Sequence, residues 1–134
     1  MKAILQRVLS ASVTVDQLLV SSIGKGILVF AAVAPGDTVK EAEAMAAKIL
    51  KMRIWDGEDG SRWKQNVQDV HGEVLCGPQA KALYDHLVSK IREGYMVERV
   101  QDGVFQAMME VGLVNDGPVT LELSTAPRQE PQGS

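Results

Sequence analysis

The chain has 134 residues, of which 46% are hydrophobic and 23% charged, and its formal net charge at pH 7 is −3. A chain of this length forms one domain with a single core, which excludes a multidomain enzyme. The hydrophobic fraction excludes intrinsic disorder, and no run of about 18 apolar residues could cross a membrane. The acidic balance gives no overall field for binding long nucleic-acid backbones, although a local contact stays open.

The compartment is predicted from cysteine usage and from the first residues. The single cysteine, Cys76, cannot form an internal disulfide. Residues 1–10 lack the apolar core of a signal peptide and the Arg/Ser-rich character of a transit peptide. We therefore expect a cytoplasmic protein that is not associated with membranes.

The first third of the chain is rich in Val, Ile and Leu at near-alternating spacing, which predicts strands. We predict these strands at residues 2–8, 11–15, 18–23 and 27–34. Asp16 and Gln17 form the expected hairpin turn. The continuous apolar run ILVFAAVA at 27–34 is typical of a strand buried on both faces.

Two amphipathic helices follow, separated by a polar, glycine-bearing loop at 56–72 and a short strand at 72–76. Thr38 and Glu41 have the spacing of a capping box, which predicts the start of the first helix. The second helix is predicted over 79–94, with Gly94 as its C-terminal stop.

The last third alternates again, so we predict strands at 95–100, 104–114 and 119–123. The order of elements indicates an α/β fold, in which two helices pack on one side of a mixed, barrel-like sheet system. We predict one domain over 1–124 and a disordered tail over 125–134, which contains two prolines and no periodicity.

Side chains alone nominate no mechanism, because the familiar nucleophile and P-loop motifs are missing and the histidines have no partners at metal-ligand spacing. We expect neither a metal nor a cofactor. The exception is NDGPVT at 115–120, between two strand-like runs. Gly before Pro in a turn is a frequent place for a cis peptide bond, although an ordinary β-turn is also open.

Several blocks of sequence carry a resemblance to a known family. They are MKAILQRV, ASVTV, SIGKGILVF, AAKILKMRIW, the pair GE at 72–73 and AMMEVGLVNDGPVT. In this order, from Met1 to about Ser124, they resemble the D-aminoacyl-tRNA deacylase family. The resemblance implies a homodimeric enzyme of translation quality control, which hydrolyses the ester joining a D-amino acid, or glycine, to the end of a tRNA. The expected partners are aminoacyl-tRNA and a second copy of the chain, not DNA.

The resemblance also implies the site residues. Gly117 and Pro118 match the dipeptide that is held cis in the family and reaches into the active site of the other subunit. There its carbonyl groups recognise the substrate amino group and exclude an L side chain. Arg7 matches an arginine that supports this loop, and Asn115 opens the matched motif. Phe105 and Met109 match residues beside the terminal adenosine, although both also fit a strand core.

One segment typical of the family is missing. After the strand that begins at Gly72, the family continues with a Ser-Gln-x-x-Thr motif and a long loop, whereas here Cys76, Gly77 and Pro78 lead directly into the second helix. The junction lacks roughly two dozen residues. We expect a truncated central strand with unpaired neighbours. The alternatives to an active enzyme are a catalytically impaired or non-catalytic relative that binds tRNA ends, and a mis-spliced gene model.

Overall fold

The computed structural model of the chain describes residues 1–77, 81–103 and 109–125. Over these ranges it contains six strands and two α-helices. In chain order they are β1 (Lys2–Val15), β2 (Leu18–Ile23), β3 (Gly26–Ala32), α1 (Val39–Lys51), β4 (Glu73–Gly77), α2 (Lys81–Gly94), β5 (Val100–Asp102) and β6 (Met109–Ser124). No helix in the described ranges is long and apolar enough to cross a membrane.

The strands form one mixed sheet in the order β2-β1-β3-β4-β5, and β6 pairs with β1. The first half of β1 pairs with β3 and its second half with β2, while β6 pairs along most of its length. The two end strands of this order also meet, because the Ser21 hydroxyl on β2 donates to the Asp102 carbonyl on β5 at 2.6 Å. The sheet is therefore nearly closed into a barrel, which confirms the predicted fold class.

The β1–β2 hairpin confirms the predicted turn and corrects the predicted strands. Asp16 and Gln17 both have positive φ, 50° and 66°, as a two-residue turn that follows the twist of its strands requires. The segments predicted as separate strands at 2–8 and 11–15 are one continuous strand, β1. The reason is non-local, since β6 pairs with β1 on both sides of the irregular Leu9 region.

The core lies mainly between the sheet and the two helices. In β3 the side chains of Ile27, Leu28 and Val29 are fully buried, which confirms burial on both faces. The capping box is present, since Thr38 accepts from the Lys40 backbone N–H and Glu41 accepts from the Thr38 N–H. The helices bury the predicted apolar faces, namely Ala42, Met45, Ala46, Ile49 and Leu50 of α1 and Tyr84, Leu87, Val88 and Ile91 of α2.

The strand predicted at 95–100 is wrong. Val97–Arg99 form a 3₁₀ turn, and only Val100 and the next two residues form the short strand β5. The alternation of apolar and polar residues at 95–100 does not correspond to one buried face, because Met96 and Val97 are exposed while Val100 is fully buried. Turn hydrogen bonds, such as that from the Arg99 N–H to the Met96 carbonyl, hold the backbone instead.

The short strand β4 keeps its neighbours paired. Its five residues pair in parallel with β3 on one side and with β5 on the other. The expectation of unpaired strands on both sides is therefore wrong. The physical reason is that β5 lies directly against β4, with Val100 opposite Val74 and Asp102 opposite Cys76.

The end of the described chain is attached to its beginning. Thr125 is buried, and its N–H donates to the Met1 carbonyl at 2.8 Å. Its hydroxyl donates to the Glu41 carbonyl at 3.1 Å, which links it to α1. The predicted tail was placed from residue 125, and its positions 126–134 lie outside the described residues. The tail therefore stays a prediction.

Candidate active site at the Gly117-Pro118 loop

The NDGPVT motif lies inside β6 and not in a turn between two strands, which corrects the sequence interpretation. Gln6 pairs with Thr120 and Val8 pairs with Asn115, so four residues of β6, 116–119, stand opposite the single residue Arg7. The extra residues form a large β-bulge, a feature that bends a strand locally. We call residues 116–119 the Gly-Pro loop.

Within the Gly-Pro loop the Gly117-Pro118 peptide bond is cis. Gly117 has a φ of 126°, in a region that side chains disfavour. A Cβ atom added there would lie 3.0 Å from an Nη atom of Arg7. The position therefore favours glycine both by backbone conformation and by the close approach of Arg7.

Arg7 fixes the Gly-Pro loop to the rest of the fold. Its Nε donates to the Asp116 carbonyl at 2.9 Å and lies 3.3 Å from an Asp116 carboxylate oxygen. Its Nη1 donates to the carbonyl of the buried Ile54, in the segment that follows α1. The Arg7 side chain is 15% exposed, so these charged hydrogen bonds are partly shielded from water and strong.

A cavity of about 310 Å³ lies beside the Gly-Pro loop. The loop contributes Gly117, Pro118 and Val119 to its lining, and Arg7 also lines it. The other lining residues are Asp56, Arg62 and Trp63, which the sequence motifs do not identify. The one signal that could have found them is an aromatic residue in a polar loop that otherwise contains Gly, Asp and Ser.

The remaining predicted site residues do not converge on this cavity. Asn115 is exposed and accepts from the Gln6 side-chain amide at the edge of the Gly-Pro loop. Met109 is half-buried at the first residue of β6, opposite Val15. At about 3.3 Å per residue, the eight steps from Met109 to Gly117 amount to roughly 26 Å along the strand. Phe105 lies outside the described residues.

The side chains at the end of β4 are unsuited to nucleophilic catalysis. Burial raises the pKa of the Cys76 thiol to about 12, so the thiolate that would act as a nucleophile is scarce at neutral pH. Burial also raises the pKa of Tyr84, whose hydroxyl donates to the Cys76 carbonyl at 2.7 Å. Among the described residues no three His, Cys, Asp or Glu side chains cluster as metal ligands would.

Comparisons with known proteins agree with this geometry. The family model described as D-Tyr-tRNA(Tyr) deacylase matches residues 4–81 and 77–124. The D-aminoacyl-tRNA deacylase of Yarrowia lipolytica is 44% identical over 150 residues, covering 93% of this chain and 97% of the relative. The solved structure of a c-Myc DNA unwinding element binding protein has a TM-score of 0.91 and 37% identity, covering 95% of this chain and all of that one.

A second solved structure, of a probable eukaryotic D-amino acid tRNA deacylase, shares the fold, with a TM-score of 0.73 at 16% identity and coverage of 91% of this chain and 97% of that one. The comparisons also locate the missing segment. The aligned 93% of this chain amounts to about 125 residues, so about 25 of the 150 positions aligned with the Yarrowia relative have no residue here. The two matches to the family model meet at residues 77–81, directly after β4.

Proposed function

Because this chain belongs to the D-Tyr-tRNA(Tyr) deacylase family, we propose that it hydrolyses the ester bond between a D-amino acid and the terminal ribose of a tRNA. Water adds to the ester carbonyl, the bond from the carbonyl carbon to the ribose oxygen breaks, and the free amino acid and tRNA leave. Glycine has no side chain, so a site that excludes L side chains by steric clash also accepts a glycyl ester. The observation that carries the proposal is the family match over nearly the whole chain.

The Gly-Pro loop supports this chemistry through its backbone. Carbonyl groups accept hydrogen bonds, so those of Gly117 and Pro118 suit the α-ammonium group of an aminoacyl ester. The contacts that Arg7 makes with Asp116 and Ile54 hold the loop in place, and a fixed backbone rejects an L side chain by steric clash. The buried Cys76 keeps its proton at neutral pH and is not a candidate nucleophile, so water is the attacking group in the proposed reaction.

The active form is proposed to be a homodimer. In one protomer Met109 lies at the start of β6, whereas the Gly-Pro loop lies within the strand at residues 116–119. A second copy could bring its own Met109 end to this loop, so that two protomers complete each site. Sedimentation of the purified chain tests this point, and a monomer at all concentrations at which activity is measured would contradict it. The cytoplasm is the proposed compartment, which fractionation of cells producing the chain tests.

The decisive experiment is hydrolysis of matched D- and L-aminoacyl-tRNA by the purified chain. We expect the D-ester to be hydrolysed well above the uncatalysed rate and the L-ester to be spared. Pro118→Ala should lower hydrolysis of the D-ester, while Val97→Ala, at an exposed site on the 3₁₀ turn, should not. Hydrolysis of the D-ester at the uncatalysed rate would refute the proposed activity.

A second candidate is a non-catalytic relative that binds tRNA ends or an intact homologue. The observation that favours it is the set of about 25 aligned positions with no residue in this chain, at the end of β4. Retention of tRNA by the immobilised chain without hydrolysis would support this candidate. Hydrolysis of the D-ester with normal turnover would exclude it.

A further inference from the structure

The residues that line the cavity together with the Gly-Pro loop have the chemistry of a nucleotide site. Trp63 is 45% exposed, whereas the other tryptophan, Trp55, is buried at 4%. An exposed indole offers a face on which a base can stack, and stacking on aromatic side chains is the main way in which proteins hold unpaired nucleotides. Trp63 and Pro118 line the same cavity of about 310 Å³.

The charged groups around Trp63 fit the remainder of a nucleotide. Arg62 is exposed and lines the same cavity, and it forms no ion pair with any residue in the described ranges. Its guanidinium can therefore contact a phosphate. Arg7, the other cation, is already occupied by Asp116. The carboxylate of Asp56 can accept from a ribose hydroxyl or a base amino group.

The loop that carries Trp63 is anchored, so the indole is presented from a defined backbone. Trp55 and Gln65 form a bridge at its base, with hydrogen bonds of 3.1 and 2.9 Å. Within the loop the Gly57 N–H donates to the Ser61 carbonyl at 2.7 Å. Trp63 itself has a φ of 58°, a left-handed conformation that is unfavourable for a bulky residue and that occurs preferentially at functional sites.

We propose that Trp63 and Arg62 bind an unpaired nucleotide next to the terminal one of the tRNA whose aminoacyl group meets the Gly-Pro loop. The base stacks on the Trp63 indole, and Arg62 contacts the adjoining phosphate. The proposal rests on the proposed function for its ligand, because it is the tRNA end that brings an unpaired strand to Pro118. It adds binding residues that act on affinity for the nucleic acid and not on the choice of amino acid.

The test measures binding of an unacylated, fluorescein-labelled ACCA oligoribonucleotide by anisotropy. Trp63→Leu should weaken binding about 5- to 150-fold, the range expected for loss of one stacked base, and Trp63→Phe should restore most of it. Arg62→Gln should weaken binding and reduce its salt dependence. Lys40→Gln removes an exposed positive charge at the start of α1 and should change neither.

The tryptophans provide a second readout, since bound oligonucleotide should quench the exposed Trp63 and leave the buried Trp55 unaffected. Equal affinity of the wild type and Trp63→Leu for ACCA would overturn the proposal. Equal effects of the variants on a DNA strand of the same sequence would show that the site binds unpaired nucleotides in general and would overturn its tRNA assignment. Trp63-dependent binding of ACCA without ester hydrolysis would refute the deacylase activity and leave the nucleotide site standing.

Discussion

Arg7 should be the residue on which the position of the Gly-Pro loop depends most. Arg7→Gln removes a charged donor from the Asp116 and Ile54 carbonyls and breaks the ion pair with Asp116. A hydrogen bond from a charged group contributes about 1.5–3 kcal/mol. The Arg7 and Asp116 side chains are 15% and 27% exposed, and water weakens the two bonds to that extent. We therefore expect Arg7→Gln to lower the free energy of unfolding by about 2–4 kcal/mol.

The same pair of strands offers a matched control. Lys2 and Glu122 lie on β1 and β6, 3.9 Å apart, and their side chains are 69% and 64% exposed. An exposed pair of this kind contributes about 0–1 kcal/mol. Lys2→Gln removes one cation from β1, as Arg7→Gln does, and should leave the free energy of unfolding almost unchanged.

Urea unfolding, followed by tryptophan fluorescence, to which the buried Trp55 contributes, measures both variants. The free energy of unfolding of Arg7→Lys should lie between those of the wild type and Arg7→Gln, since one ammonium cannot reproduce the forked guanidinium contacts. Ester hydrolysis by Arg7→Gln should fall about 100-fold, because a displacement of about 1 Å at a reacting centre has an effect of this size. If Arg7→Gln is no less stable than Lys2→Gln, the assigned role of Arg7 is wrong.

Three further results are expected. Tyr84→Phe should lower the free energy of unfolding by about 0.5–1.5 kcal/mol in urea titrations, because the buried Cys76 carbonyl loses its hydroxyl donor but keeps the Gly103 N–H. The hydrogen bonds from Thr38 lower the pKa of Glu41 below its usual 4.5. They therefore stabilise the fold above about pH 4.5, and this contribution is lost as the pH falls through the folded-state pKa. The difference in urea midpoint between Thr38→Ala and the wild type should shrink from pH 7 to pH 3. Cys76, with its pKa raised to about 12, should resist iodoacetamide at pH 8 in the native protein and react in urea, as mass spectrometry would show.

The features predicted correctly from the sequence are those set by neighbouring residues. The Asp16-Gln17 turn and the Thr38 capping box depend on contacts within a few residues, so they could be recognised without knowing the fold. The apolar faces of α1 and α2 follow from helical spacing in the same way. Family resemblance, not spacing, nominated Arg7 as a support for the Gly-Pro loop.

The errors arose where a distant element decides the local structure. NDGPVT has the composition of a turn, yet pairing with β1 on both sides makes it a bulge within one strand. The alternation at 95–100 is that of a strand, but within the described ranges no strand pairs with Met96 or Val97, and both are exposed. Trp63 is not identified as part of a site by any sequence motif, because only the folded chain shows that it lines one cavity with Pro118.

The missing segment affects the stability of the fold and its catalytic groups in different ways. The Cys76 carbonyl accepts from the Tyr84 hydroxyl at 2.7 Å and from the Gly103 N–H at 3.1 Å, so the end of β4 is satisfied by α2 and by the chain after β5. At Gly77 a Cβ atom would lie 2.8 Å from the Phe30 ring, so the strand ends in close contact with β3. These contacts satisfy the end of β4 without the missing residues, so we expect a chain that fails to hydrolyse D-aminoacyl-tRNA to unfold cooperatively in urea, having lost catalytic groups and not its fold.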